Sequence, residues 1–284
     1  SLLPVLLLLS IGGGWLIARD SFLPLERITE AAGSISDGDD LSARLDLRRG
    51  PREMRRLART FDGMFARLET SFLSKKQFTA DASHELRTPV AVILAECDRA
   101  RRKAETKEDF LASINVIEQQ GNKMNTLIEQ LLSLTRIQQG TEKYPLRVCD
   151  LSGFVDACCD EFVPADERGM TLETDIEPGV AAAYNPSLLS RAMFNLMQNA
   201  YKYGREGGHI RVSLCRENGC AVISVKDDGP GIPKAEQEKI WQRFYRCDAS
   251  RAEGGTGLGL SLVREIALVH HARAEVVSEP GKGC

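Results

Sequence analysis

The chain has 284 residues, 43% hydrophobic and 27% charged, and this composition is typical of globular proteins rather than disordered or fibrous ones. Its length predicts two or three domains. The formal net charge is −3, and basic residues are interspersed with acidic ones, so we expect no nucleic-acid partner. The eight cysteines include no C-x-x-C pair, so we interpret them as reduced thiols of a cytoplasmic protein.

The chain opens with an uncharged apolar run from Leu2 to Ala18. As a helix this run extends about 25 Å, the lower limit for crossing a bilayer. Trp15 lies near its end and Arg19 follows, and the arginines farther along place the rest of the chain in the cytoplasm by the positive-inside rule. We predict a transmembrane helix at residues 1–18, in contact with membrane lipid. The alternative is a signal peptide, which the lack of a basic n-region and of a cleavage site disfavours.

Residues 19–72 carry two helical stripes separated by Asp37–Asp40 and a connector that contains Leu41, Leu45 and Leu47. The second helix is predicted to begin near Pro51, since proline suits a first turn. Stripes this apolar need a partner, which predicts a dimer. The stripes comprise Leu25, Ile28, Ala31, Ala32 and Ile35, then Met54, Leu57, Phe61, Met64, Phe65 and Leu68. The arrangement resembles a HAMP coiled-coil relay, and the alternative is a generic juxtamembrane coiled coil.

Residues 73–140 continue the helical periodicity to about Lys103, turn at Ala104 to Lys107, and return as a second amphipathic helix that ends at Gly140. Two long helices with a short turn predict an antiparallel hairpin, and two hairpins form a dimeric four-helix bundle.

From residue 141 to 284 the pattern changes to short β-rich runs that alternate with helices, which predicts an α+β sandwich with helices on one face of a mixed sheet. The predicted strands are Thr171 to Ile176, His209 to Leu214, Ala221 to Lys226 and Arg273 to Ser278. The predicted helices are Leu151 to Glu167, Pro186 to Tyr203 and Leu258 to Val269.

One histidine has a distinctive setting, the helical segment from Phe78 to Pro89. His84 and Thr88 are four residues apart and share a helix face, with Glu85 beside them. An unperturbed imidazole is mostly neutral at pH 7 and can act as a nucleophile, while a neighbouring carboxylate accepts its proton. Pro89 cannot donate to the carbonyl of Glu85, so we expect a looser helix one turn past the histidine.

Three polar residues, Asn195, Asn199 and Lys202, recur on one helix face farther along the chain. Amide oxygens suit Mg²⁺, and lysine suits phosphate. A D-D-G-P-G turn from Asp227 follows a strand, and its glycines let a flat ring approach the backbone. A glycine-rich run from Gly254 opens a helix, whose free backbone N–H groups bind phosphate. Each of these motifs alone is common.

In this order, with His84 upstream, the motifs resemble those of a bacterial membrane sensor histidine kinase of a two-component system. The resemblance implies a HAMP relay, a phosphoacceptor hairpin and a GHKL-type ATP-binding domain of the Bergerat fold. It implies a homodimer in the inner membrane, with its catalytic part in the cytoplasm. It also implies ATP-dependent autophosphorylation on His84, transfer to a response-regulator aspartate, and phosphatase activity through the Glu85 and Thr88 pair.

The same resemblance implies the nucleotide site. Asp227 would select adenine, Arg246 would approach the γ-phosphate, and Asn199 with Asn195 would bind Mg²⁺. The implied ATP-binding residues are Asn195, Asn199, Lys202, Tyr203, Asp227, Gly229, Gly231, Arg246, Gly255, Thr256, Gly257, Leu258 and Gly259.

Two features depart from the family pattern. The sequence ends at Cys284, where family members continue with one more strand, so we expect the last strand to be missing from the domain. The helix end at His270 to Ala272 lacks the usual glycine. Two other functions stay open: an ATPase without histidine chemistry, and a scaffold or phosphatase that binds ATP but does not transfer phosphate.

Overall fold

The computed structural model describes residues 4, 12, 44–47, 52–103, 105–138, 144–162, 168–247 and 255–284. They belong to two compact units, Ser1–Ala82 and Ser83–Cys284. The predicted membrane helix, apart from Pro4 and Gly12, and the first relay helix lie outside the described residues. Within the described ranges, no helix is both long enough and apolar enough to cross a bilayer.

In the N-terminal unit, the connector packs against the first half of helix α1 (Arg52–Lys103). Leu45 is buried with Ala58 and Phe65, and its backbone N–H donates to Asp62 Oδ1 at 2.7 Å. Other apolar residues of the predicted stripe are not buried: Leu57, Met64 and Leu68 remain more than a third exposed. An apolar face left open in this way is what a partner helix would cover.

In the C-terminal unit, α1 continues to Lys103 and a second helix, α2 (Lys107–Gln138), returns beside it. Arg99 Nη2 donates to Ser113 Oγ at 3.0 Å across the two helices. Thr106 and Asp109 cap α2 reciprocally, since Asp109 accepts from the Thr106 hydroxyl at 2.9 Å and donates its N–H to Thr106 Oγ1 at 3.2 Å. The predicted antiparallel hairpin is confirmed, and Pro89 lies buried inside α1 without interrupting it.

The rest of this unit contains two small sheets. Strands β1 (Arg147–Asp150) and β3 (Ala181–Tyr184) pair antiparallel. Strands β2 (Thr171–Ile176), β4 (His209–Glu217) and β5 (Cys220–Asp227) form a mixed sheet in the order β2-β4-β5, with β2 parallel and β5 antiparallel to β4.

Helices α3 (Leu151–Glu161), α4 (Pro186–Tyr203) and α5 (Gly259–Val269) complete the domain. Between Ile210 and Leu214, alternate residues of β4 are fully buried, and this core also contains side chains of α3 and α4. Its members include Ile210, Val212, Leu214, Val155, Met193 and Met197. The α+β sandwich predicted from the sequence is therefore confirmed.

One predicted strand and two predicted helix boundaries were wrong. Among the described residues, Arg273 to Ser278 form no strand, and the one bridge nearby joins Glu279 to Gly283. A β-rich run becomes a strand only when a neighbouring backbone pairs with it, and Val277 is 87% exposed here. The predicted helix from Leu151 ends at Glu161, with residues 163–167 outside the described part. The helix predicted from Leu258 begins at Gly259.

The unusual end of α5 is accommodated by a histidine. His271 takes a φ of +54°, the left-handed conformation that glycine normally supplies after a helix. The N–H of Ala272 then donates to Ala267 O at 2.9 Å, which satisfies a terminal carbonyl of α5. The helix therefore ends in the usual geometry although its sequence lacks the expected glycine.

Candidate functional site

Helix α4 presents a polar face to a cavity and an apolar face to the core. Asn185 caps its start by accepting from Leu188 N at 3.2 Å, and Pro186 occupies the first turn. Met193 and Met197 are buried on the core side. The opposite face carries the three predicted residues, which line the cavity together: Asn195, Asn199 and Lys202.

The glycine-rich segment Gly255–Gly259 forms the wall opposite this face. A Cβ atom added to Gly255 would lie 2.6 Å from Lys202 Nζ, and one added to Gly259 would lie 2.9 Å from Asn195 Oδ1. Glycine at these two positions lets the backbone approach the polar face of α4 closely. The result is a narrow cleft between bare backbone on one side and amide and ammonium groups on the other, which suits phosphate groups.

The turn after β5 forms a third part of the cavity. Asp227 Oδ1 accepts from Gly229 N at 2.9 Å, and burial raises the pKa of the Asp227 carboxyl above its ordinary value. The turn is fastened to the chain end, because Gln237 Nε2 donates to Ile232 O at 3.0 Å and to Ser278 O at 2.8 Å. A carboxylate held at this edge can accept from an amine of a ring that enters the cavity.

The amide of Asn195 is held by a hydrogen bond to the backbone of its own helix. Its Nδ2 donates to Arg191 O at 2.7 Å, which leaves Oδ1 directed at the Gly259 backbone. In the described ranges, no cluster of three His, Cys, Asp or Glu side chains could hold a metal ion. The side chains of Asn195 and Asn199 both line the cavity, and amide oxygens are of the kind that Mg²⁺ accepts as ligands.

Most predicted nucleotide residues lie in one cavity. Its lining includes Asn195, Asn199, Lys202, Tyr203, Asp227, Gly231, Arg246, Gly255, Thr256, Gly257 and Gly259. Two predicted residues do not line it. Leu258 is fully buried and packs into the core, and Gly229 is buried against the carbonyl of Tyr203, so both support the walls from behind.

The phosphoacceptor residues lie elsewhere. His84 and Thr88 are exposed on α1, Glu85 is half-buried, and none of the three lines the cavity. Thr88 Oγ1 donates to the His84 carbonyl oxygen at 3.4 Å, a long contact within the helix. The structure therefore leaves the imidazole open to solvent and separate from the cavity.

Sequence reasoning missed Arg168, which caps the C-terminal end of α4. Its Nη1 donates to Tyr201 O and Lys202 O, both at 2.6 Å, and its Nη2 donates to Gly204 O at 2.9 Å. The guanidinium also lies 5.8 Å from the ring centre of Tyr201. Cationic groups are favoured at helix C-termini, but no local pattern in the sequence indicates which helix an arginine before a strand will cap.

Sequence reasoning also missed Gln130 on α2. Thr256 Oγ1 donates to Gln130 Oε1 at 2.5 Å, and the same hydroxyl accepts from Leu258 N at 3.3 Å. Nearer the end of α2, Gln138 Nε2 donates to Glu265 Oε1 on α5 at 3.2 Å. The hairpin thus touches the glycine-rich wall of the cavity, a contact between residues more than a hundred positions apart.

Three family models match this chain in succession. The HAMP domain matches residues 16–70, the His Kinase A (phospho-acceptor) domain matches residues 74–140, and the histidine kinase-, DNA gyrase B- and HSP90-like ATPase matches residues 184–284. The third of these implies ATP binding by the domain that contains the cavity.

Curated relatives agree with the family models. The chain is 37% identical over 218 residues to sensor histidine kinase RppB of Synechocystis sp., covering 75% of this chain and 48% of RppB. It is 32% identical over 269 residues to signal transduction histidine-protein kinase/phosphatase MprB of a Mycobacterium species, covering 92% of this chain and 51% of MprB. The chain thus spans about half the length of these two relatives.

A solved structure shares the fold. The histidine kinase ThkA, crystallised in complex with response regulator protein TrrA, superposes with a TM-score of 0.61 at 22% identity, covering 76% of this chain and 61% of that one. This likeness concerns the fold.

Proposed function

Because the chain belongs to the sensor histidine kinases of two-component systems, we propose that it phosphorylates itself on His84 and passes the phosphoryl group to a response-regulator aspartate. ATP is the donor, and Mg²⁺ accompanies it. The observation that carries this proposal is an exposed imidazole on the hairpin in the same unit as a cavity whose bare glycine backbone faces the polar side of α4.

The residues divide the reaction among them. A neutral nitrogen of His84 attacks the γ-phosphorus, the new N–P bond replaces the P–O bond to the β-phosphate, and ADP leaves. The proton on the other ring nitrogen passes to Glu85. Lys202 and Arg246 supply positive charge where negative charge develops on the transferred group. Asn195 and Asn199 would hold the Mg²⁺ ion, which would supply positive charge to the phosphates. His84 does not line the cavity of its own chain in this structure.

We propose the following layout for the chain. Residues 1–18 cross the bacterial inner membrane, residues 19–72 form the HAMP relay, residues 73–140 form the dimerisation and phosphotransfer hairpin, and residues 141–284 form the cytoplasmic ATP-binding domain. Two chains associate through the exposed apolar faces of the helices. Val90, Leu94, Ile114 and Leu132 are among these faces, and each is more than a third exposed in the single chain.

The chemical stability of the incorporated phosphate tests the proposal. With γ-labelled ATP and Mg²⁺, the chain is expected to take up label that is lost in acid and retained in base, because a phosphoramidate N–P bond hydrolyses on protonation whereas a phosphoserine ester survives acid. ATP hydrolysis without labelled protein would favour the simple ATPase. Nucleotide binding with neither protein labelling nor ATP hydrolysis would favour a scaffold or phosphatase that binds ATP without transferring phosphate.

We also propose that the chain dephosphorylates its regulator, with Thr88 orienting the attacking water. The name of the relative MprB, a kinase/phosphatase, supports this second activity. The hydroxyl of Thr88 is exposed and is held only by a 3.4 Å contact to a backbone carbonyl, so it is available to a partner. The same preparation, incubated with a phosphorylated receiver domain and ADP, is expected to release inorganic phosphate. Thr88→Ala should lose this release and keep its own labelling.

Nucleotide affinity is expected to fall with acid at a higher pH than for an ordinary aspartate. Because burial raises the pKa of Asp227, its carboxylate becomes protonated, and loses its ability to accept from the adenine amine, as pH falls through that raised pKa. The sign for folding is opposite, since a raised carboxyl pKa stabilises the fold at low pH and that stabilisation is lost as pH rises through it. Titration of ATP affinity between about pH 4 and pH 8 measures the effect.

Asp227→Asn is the control for this titration. The amide does not titrate, so the variant is expected to bind ATP more weakly than wild type above the raised pKa and to show a flatter pH profile. A profile in the variant that parallels wild type would assign the pH dependence to other groups and remove Asp227 from adenine recognition.

A further inference from the structure

The cavity has a wall that the nucleotide motifs do not include, formed by helix α2. Lys123, Thr126 and Gln130 all line it. They follow one another at spacings of three and four residues, so they lie on one face of α2. Gln130 is fixed at the glycine-rich wall by the hydrogen bond from Thr256 Oγ1 at 2.5 Å. Lys123 lies about 10 Å farther along the same face, two turns towards the start of α2.

The position of this wall along the hairpin is informative. The Arg99 to Ser113 hydrogen bond places those two residues within about one helical turn of the same level on the antiparallel helices. Since both helices rise equally per residue, His84 on α1 is level, to within the same margin, with Ile128 on α2, which lies between Thr126 and Gln130 in sequence. The cavity therefore faces the hairpin at the height of the phosphoacceptor, but on the neighbouring helix.

The charge on this wall suits a phosphate chain. Lys123 is half-buried, and within the described part of the chain no ion pair joins it to a carboxylate. A half-buried ammonium group loses part of its hydration, which favours an anion as a partner. Across the cavity lie Lys202 and the backbone N–H groups of Gly255–Gly259, which also suit anions. The remaining α2 lysine, Lys107, begins the helix and does not line the cavity.

We infer that Lys123 is a phosphate-binding residue that α2 contributes to the nucleotide site of its own chain. This inference rests on the proposed ATP binding. The ammonium group of Lys123 contacts the phosphate chain of ATP from the hairpin side, while Gln130 holds the glycine-rich segment against the same helix. The nucleotide thereby strengthens the contact between the domain and the hairpin at the level of His84.

Titration of the full chain with ATP·Mg²⁺ and with adenosine tests this assignment. Lys123→Met is expected to weaken ATP binding about tenfold, the effect of losing one charge-assisted hydrogen bond, and to leave adenosine binding unchanged. Lys123→Arg retains the charge and is expected to stay within about threefold of wild type for ATP. Lys107→Met, the matched loss of a lysine from the same helix, is expected to bind both ligands as wild type does.

The alternatives give different patterns. Equal ATP affinities of Lys123→Met and Lys107→Met would overturn the assignment while leaving ATP binding by the chain intact. A parallel loss of ATP and adenosine in Lys123→Met would also overturn it, because a structural role affects both ligands. A wild-type chain that binds no ATP would overturn the inference and the proposed function together.

Discussion

Replacing His84 with glutamine is expected to abolish phosphate incorporation completely while leaving ATP affinity unchanged. An amide has no nucleophilic nitrogen, so no N–P bond can form at this position. His84 is exposed on α1 and lies outside the cavity, so the exchange removes neither packing nor a nucleotide contact. Exposed substitutions of this kind change stability by about 0.5 kcal/mol or less. Label counting and ATP titration on the same preparation measure both quantities.

His209→Gln is the matched control, because its side chain is also exposed and its ring makes only surface contacts, from Nδ1 to Thr171 Oγ1 at 2.6 Å and to Glu173 Oε1 at 3.9 Å. His270 is less suitable. Its Nε2 accepts from Asn185 N at 3.0 Å and its Nδ1 bonds to Ile266 O at 2.7 Å, so it joins the end of α5 to the cap of α4. Acid-labile label that persists in His84→Gln and disappears in His209→Gln would move the phosphoacceptor to the start of β4.

The helices could be predicted because their signals are local and long. The hairpin was predicted to turn at Ala104 to Lys107, and the helices end at Lys103 and begin at Lys107. Apolar residues that recur with helical spacing over many turns are consistent only with a long amphipathic helix. α4 was predicted with the bounds it has, since Asn185, Pro186 and Gly204 mark its ends with side-chain and backbone preferences.

The features that the sequence did not predict depend on distant partners. Strand β3 consists of three alanines, which are poor strand formers, and one tyrosine, and it is extended because β1 pairs with it. The reverse holds for Arg273 to Ser278. Their composition favours a strand, but they pair with no neighbouring strand among the described residues. In the site, the neighbouring sequence was enough to predict that Asn195 and Asp227 line a cavity. The contacts of Arg168 and Gln130 could not be predicted, because they arise only from tertiary packing.

Gly257→Ala is expected to weaken ATP binding by about 30-fold or more, through the shape of the backbone rather than through any lost ligand group. Gly257 has a φ of +67°, which costs an alanine about 1 kcal/mol. Its Cβ would also lie 2.7 Å from the carbonyl carbon of Phe244, a backbone atom that cannot rotate away. Either the glycine-rich segment retreats from α4 or the Phe244 backbone shifts, and both displace cavity walls that face the phosphates.

Gly207→Ala separates these two contributions. Gly207 has a φ of +64°, but a Cβ there meets no atom within 4 Å, and the residue does not line the cavity. This variant therefore experiences the backbone strain alone, and we expect it to lose about 1 kcal/mol of unfolding free energy while ATP affinity stays within about twofold. Isothermal titration with ATP·Mg²⁺ and thermal unfolding of both variants measure the difference. If the two variants lost affinity equally, strain would account for the whole effect, and the close approach of Gly257 to Phe244 would have no part in forming the site.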